Sequence, residues 1–247
     1  MILNVVLKMI LRSWWRNKVF FLVSVASLAL GLACTNLLMT YFVHEHGLEG
    51  RNPDRDRMFF LRQDDPMTEG KRVAFAGAEI PPQLKQSYAE VENFLRLGKL
   101  DLLYCKVNEQ KVEGDFKMLS ADTTLTNFFD YRTEEGSLSQ VLCQPGKVAL
   151  SEACARRLFG GKQAVGKQVE AHFRFGEVRP YEVAAVLKKR EQSLLQFDML
   201  IAHDPDFFWG GLTLLKLTPG TDAGHLADKL NEDKVPTLTV SYTHLTL

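Results

Sequence analysis

The 247-residue chain lacks net charge, having 30 Lys and Arg against 30 Asp and Glu, which argues against a nucleic-acid surface. It has little cysteine, only four residues, too few for a disulfide scaffold and without the spacing of a metal site. No low-complexity tract and no internal repeat is visible. The most telling absence is local. Between Lys18 and His44 there is no Asp, Glu, Lys, Arg or His, and the run Val19–Val43 is mostly apolar. A helix needs about 20 apolar residues to cross a bilayer, so residues 19–43 read as a membrane-spanning helix.

A second absence orients the span. No acid occurs in residues 1–18, which carry Lys8, Arg12, Arg16 and Lys18, whereas Glu45, Glu49, Arg51, Asp54, Arg55, Asp56 and Arg57 after the span are of mixed sign. Excess basic charge stays cytoplasmic, so the N-terminus is expected inside and the bulk of the chain outside, in the periplasm of a Gram-negative cell. Residues 1–18 read as an amphipathic basic segment on the cytoplasmic lipid surface, with Trp14 and Trp15 at the headgroup level. A cleaved signal has an apolar core of about 7–15 residues, and this run continues through Leu37, Leu38, Met39 and Tyr41–Val43. A lipoprotein signal ahead of Cys34 wants Leu or a branched residue where Gly31 stands. Gly31, Ala33, Ser27 and Asn36 suit a helix that packs against other membrane helices, because small residues allow close approach and polar ones bond across.

Beyond the span, roughly two hundred residues suffice for one ordinary domain or two small ones. Their pattern mixes helix and strand, so the expected class is α+β. Ile80–Glu92 opens with two prolines and predicts a helix. Leu102–Val107 and Val112–Leu119 flank Asn108-Glu109-Gln110 as a hairpin. Ser151-Glu152 predicts a capped helix that stops at Gly160-Gly161. Val169, Ala171, Phe173 and Phe175 alternate with Glu170, His172 and Arg174, the period of a half-buried strand, which Gly176-Glu177 turns back into Tyr181–Leu187.

Chemistry is also sparse, and the sequence offers no catalytic, cofactor-binding or metal-binding residue. Gly161–Gln168 imitates a phosphate loop, but it follows a helix, precedes a strand and has Gln168 where Ser or Thr would hold magnesium, so it reads as a turn. His44-Glu45-His46 has the wrong spacing for a zinc helix. His172 is expected on a solvent face, His203 and His225 have no clustered partners, and Ser151 reads as a cap and not a nucleophile. Cys105, Cys143 and Cys154 lie outside the span, and an odd number leaves at least one unpaired.

Several segments resemble the FtsX-like and MacB-like permease family of ABC transporters, in particular the long Bacteroidetes-type permeases. They are Trp15–Lys18 leading into Leu28–Ala33, then Asp56-Arg57-Met58-Phe59, then Tyr88–Glu92, where relatives have Pro and this chain has Ala89. Next come Pro145–Gly160 continuing to Ala164–Lys167, the most specific match, and Phe197–Leu200, with Asp122–Phe129 also similar. The resemblance implies a MacB-like periplasmic core domain over residues 44–239, on an inner-membrane permease that works with a separate cytoplasmic ABC ATPase subunit. It further implies a second permease copy or repeat and a periplasmic partner, and no enzyme activity in the chain itself. Arg12, Arg16 and Lys18 would set orientation, Gly31 and Ala33 permit helix contact, and Ser151–Gly166 shape the outer domain. Residues 240–247 resemble a translated sequencing adapter, so the outer domain is expected to be truncated. The alternative reading is a single-span periplasmic binding or sensing module.

Overall fold

Residues 18–47 form one helix, α1 (Lys18–Gly47), with no sequence signal to break it. Its stretch Lys18–Phe42 has a mean hydropathy of 2.0 and buries none of itself in protein, so its apolar surface needs a non-aqueous neighbour. The computed structural model describes residues 17–47, 52–64, 72–161, 163–174, 176–188, 193–204, 210–233 and 238–241. The chain divides into two units, Met1–Leu48 and Glu49–Leu247.

The outer unit starts with a short 3₁₀ turn, Arg55–Arg57, and then alternates strands and helices. In chain order these are β1 (Met58–Asp64), β2 (Arg72–Val73), β3 (Ala76–Gly77), α2 (Ile80–Ser87), β4 (Val91–Val107), β5 (Gln110–Glu113), β6 (Lys117–Ala121) and α3 (Leu125–Phe128). They continue with β7 (Thr133–Gly136), α4 (Leu138–Cys143), β8 (Lys147–Ser151), α5 (Glu152–Phe159), β9 (Gln168–Phe173) and β10 (Val178–Leu187). The last are β11 (Met199–Ala202), β12 (Gly210–Leu217), α6 (Ala223–Glu232) and β13 (Leu238–Ser241). The class is α+β, as the sequence predicts.

Two lobes share strand β4. In the first, the antiparallel order β13-β1-β12-β4 with α2 between β1 and β4 and α6 between β12 and β13 is a split βαβ arrangement. Its helices cover one sheet face: Phe59, Leu61, Leu215 and Leu217 pack on Ile80, Leu84, Leu226 and Leu230. The alternate residues Met58, Phe60, Leu95 and Leu214 point the other way, onto Leu125, Phe128, Val141 and Leu142 of α3 and α4. Residues 98–209, from the second half of β4 to the residue before β12, are an insertion into this lobe.

That insertion closes on itself. β4 pairs β6, β6 pairs β11, β11 pairs β8, β8 pairs β10, β10 pairs β9, and β9 returns to β4. The ring removes its own edges, and its inward residues fill the interior: Met118, Val148, Leu150, Val169, Ala171, Val183 and Met199 are each fully buried. Helix α5 contributes Cys154, Leu158 and Phe159 to the same core. Its ends are as the sequence predicts. The Ser151 hydroxyl accepts from the Cys154 amide at 3.2 Å, and Gly160 adopts the left-handed φ of 63° that ends the helix.

Two expectations need correction. The helix predicted over Ile80–Glu92 stops at Ser87, because Tyr88 is extended and Val91 and Glu92 already belong to β4, where Val91 is needed in the sheet core. The strand predicted over Val112–Leu119 is broken into β5 and β6 at residues 114–116. Both pieces still pair with β4, but the register slips by one residue, from Tyr104↔Glu113 to Asp101↔Lys117, as at a bulge. The hairpin itself turns at Asn108 and Glu109, with φ of 50° and 63°. Both residues at positive φ make a primed turn, for which Asn suits the first place and Gly the second. Glu109→Gly is therefore expected to stabilise the outer unit by about 0.5–1 kcal/mol, read from the urea midpoint.

Residues 238–241 add β13 to the free side of β1, pairing Leu61 with Val240. Val240 and Ser241 thus fall in the segment that resembles an adapter sequence.

Candidate functional site

On α1, Gly31 and Ala33 are two residues apart and so point about 200° away from each other. Gly31 shares its face with Ser27 and Thr35, while Ala33 shares the other with Ala29 and Asn36. The two small-residue positions therefore serve opposite sides of the helix. The Ser27 and Thr35 hydroxyls each donate to the carbonyl four residues back at 2.9 Å, which satisfies them within the helix. Lys18 heads the helix. Arg12 and Arg16, the side chains of His44 and His46, and His244 lie outside the described residues.

The other sequence candidates scatter. The segment after Gly161 is a turn, in which the Lys167 amide donates to the Ala164 carbonyl at 3.1 Å. His172 is not on an open solvent face: it stacks on Tyr104 with ring centroids 4.3 Å apart, and its side chain is only 13% exposed. His225 is exposed on α6, where the Asp222 carboxylate caps the helix by accepting from the Gly224 amide at 2.8 Å. Cys105, Cys143 and Cys154 are free thiols. Cys105 and Cys154 are buried in the ring, and burial pushes the Cys105 pKa up to about 12 and that of Cys154 up as well. Cys143 is exposed. Among the described residues, no group of three or more His, Cys, Asp or Glu side chains is placed to hold a metal.

What the structure assembles instead are two charge networks within the sheet. The first joins the lobes. Arg96 of β4 donates to the Asp122 carboxylate through Nε at 2.9 Å and Nη2 at 2.7 Å, and its Nη1 donates to the Ala78 carbonyl at 2.9 Å. Asp122 also accepts from the Arg96 backbone amide at 2.9 Å. The half-buried His203 sits beside this pair, and burial, followed by the charge of Arg96, holds its pKa below the usual value against the opposing pull of Asp122 and Asp204.

The second network stands where the chain enters the outer unit. Asp54 accepts from both Arg57 and Lys216. Arg57 Nη1 donates to Glu92 Oε2 at 2.6 Å and to the Leu217 carbonyl at 2.8 Å. Lys216 Nζ donates to the Asn127 carbonyl at 3.4 Å and lies 3.6 Å from Glu92. Lys216 is only 8% exposed. Hydrogen bonds from Lys216, then Arg57, hold the Asp54 carboxyl below its ordinary value, and Lys229 does the same for Glu90. Sequence reading finds Asp56 and Arg57 but not this network. The signal it passes over is a single charge, Lys216, inside the apolar strand Leu214-Leu215-Lys216-Leu217.

These shifts fix the sign of the pH response. His203 is depressed below its unfolded value of about 6.5, so its contribution is complete above that pH and is lost as pH falls through the lower folded value. Asp54 and Glu90 act likewise from an unfolded value of about 4 downward. The urea midpoint is expected to fall in two stages on acidification, first below about pH 6.5 and again below about pH 4. His203→Gln should flatten the first stage and leave the second. A wild-type midpoint unchanged between pH 7 and pH 5 would contradict the assignment.

An apolar leading helix, followed by an outer unit in which charge networks support a split βαβ lobe and its inserted closed ring, defines a helix-led α+β module. The chain belongs to the family of the MacB-like periplasmic core domain, which it matches over residues 21–233. Its fold is shared by a domain assigned to a permease protein of Porphyromonas gingivalis, 19% identical, with a TM-score of 0.61 over 78% of this chain and 93% of that one. The periplasmic region of MacB from Actinobacillus actinomycetemcomitans, 10% identical, aligns with a TM-score of 0.55 over 80% of this chain and 91% of that one. The extracellular domain of the noncanonic ABC-type transporter YknZ from Gram-positive bacteria, 16% identical, gives 0.56 over 74% and 99%. No curated protein matches the sequence.

Proposed function

We propose that the chain is the first span and outer domain of the permease subunit of an ABC transporter. A separate cytoplasmic ATPase subunit hydrolyses ATP, and the nucleotide state shifts the packing of the span and moves the periplasmic domain, for export or for mechanical work on an envelope partner. The observation that carries this reading is the family match, which runs from inside α1 to just past α6 and so takes helix and outer unit as one piece. The basic residues Lys8, Arg12, Arg16 and Lys18 ahead of the span support a cytoplasmic N-terminus in the inner membrane. The two small-residue faces of α1 support packing against further membrane helices, from the same subunit or a second copy.

The test is the coding sequence beyond codon 239. Three more apolar runs of spanning length are expected there, with an ATPase gene adjacent. A stop codon within a few residues would overturn the permease reading in favour of a single-span sensor.

A further inference from the structure

We propose that Asp54, Arg57, Glu92 and Lys216 form a mechanical clamp that receives load from the membrane helix and delivers it to the central strands of the split βαβ lobe. The inference rests on the permease reading for the origin of the load.

The geometry of β1 sets the problem. This strand is the first to follow α1, and its antiparallel ladder with β12 begins at the rung Met58↔Lys216. Tension on the chain ahead of Met58 meets that end rung first, and a pull acting across the strands would open the ladder one rung after another, because each perpendicular bond is then loaded singly. The clamp stands ahead of the first rung. Asp54 grips Lys216, the rung partner of Met58, while Arg57 holds the Leu217 carbonyl next to it and Glu92 on β4. These bonds share any pull, and charge-assisted bonds are the stronger kind. The chain is also fixed further upstream, where Asn52 Nδ2 donates to the Phe128 carbonyl at 2.6 Å and Asn52 Oδ1 accepts from the Asp54 backbone amide at 3.0 Å.

Stability alone does not call for this arrangement. A nearly buried ammonium among leucines is replaced by an apolar side chain at little cost, often with a gain, when its partner is neutralised too. The clamp therefore separates resistance to load from equilibrium stability.

The test pulls the full chain carrying Cys34→Ala in detergent micelles, under constant load, between its N-terminus and the exposed thiol of Cys143. D54N/K216M is expected to shorten the lifetime of the first rupture after α1 uncoils about tenfold while leaving the urea midpoint nearly unchanged. Tyr88→Phe removes the 2.7 Å bond from Tyr88 Oη to Asp233, neither of which belongs to the clamp. It should lower the urea midpoint without shortening that lifetime. If the double variant does not fold, Glu92→Gln, at a partly exposed position, is expected to shorten the lifetime about threefold. An unchanged lifetime, or one that falls only in step with the urea midpoint in all variants, overturns the clamp. Neither result bears on the permease reading, which stands or falls with the downstream sequence.

Discussion

Asp122→Ala is expected to destabilise the outer unit by about 3–5 kcal/mol, the usual cost of stripping one partner from a buried ion pair. The Asp122 side chain is 10% exposed and that of Arg96 20%, so neither recovers much hydration in the fold. The carboxylate takes three guanidinium bonds and the Arg96 amide, and without it a charged fork is left with only the Ala78 carbonyl. The position amplifies the loss. Arg96 pairs with Thr213 of β12 in the split βαβ lobe, and Asp122 directly follows β6 of the ring, so the pair fastens the lobes at their common strand. The matched replacement Arg96→Met with Asp122→Leu should restore most of the stability, because it removes both charges at once. A loss below about 1 kcal/mol in urea unfolding of Asp122→Ala would show the pair to be an ordinary surface bridge.

Leu150→Ala in the ring should cost a similar amount, about 3–5 kcal/mol, for a different reason. Leu150 lies on β8 between Val186 and Met199, with none of its surface exposed. The ring is closed, so its walls cannot move inward without breaking a ladder, and the cavity left behind stays largely unfilled. Leu150→Met, which conserves volume and bends to the space, is expected to cost under about 1.5 kcal/mol. Comparable losses for both substitutions would mean that the interior is looser than its burial indicates.

Local chemistry made some of this legible in the sequence. Ser151 and Gly160 bound α5 because a hydroxyl cap and a left-handed glycine act within one turn of helix, and the alternation of Val169, Ala171 and Phe173 announces β9 because one face is buried. The motifs around Pro145–Gly160 carried the family resemblance. Non-local pairings were not legible. Nothing near Met118 announces its parallel partner Met199, nor that β9 returns to β4 to close the ring. For the same reason Lys216 could not be matched to Asp54, 162 positions away. The pattern over Ile80–Glu92 overextends the helix because Tyr88 and Val91 suit a helix face as well as a strand, and the sheet core decides between them.

The proposed function requires a basic N-terminus inside and the outer unit across the membrane. Cys143 reports it directly, being the exposed thiol of the outer unit, while Cys105 and Cys154 are buried and Cys34 lies within the apolar helix. In spheroplasts expressing the chain, a membrane-impermeant maleimide is expected to label the protein without lysis, and Cys143→Ser should abolish that label. Labelling of Cys143 only after lysis would place the outer unit in the cytoplasm and contradict the account.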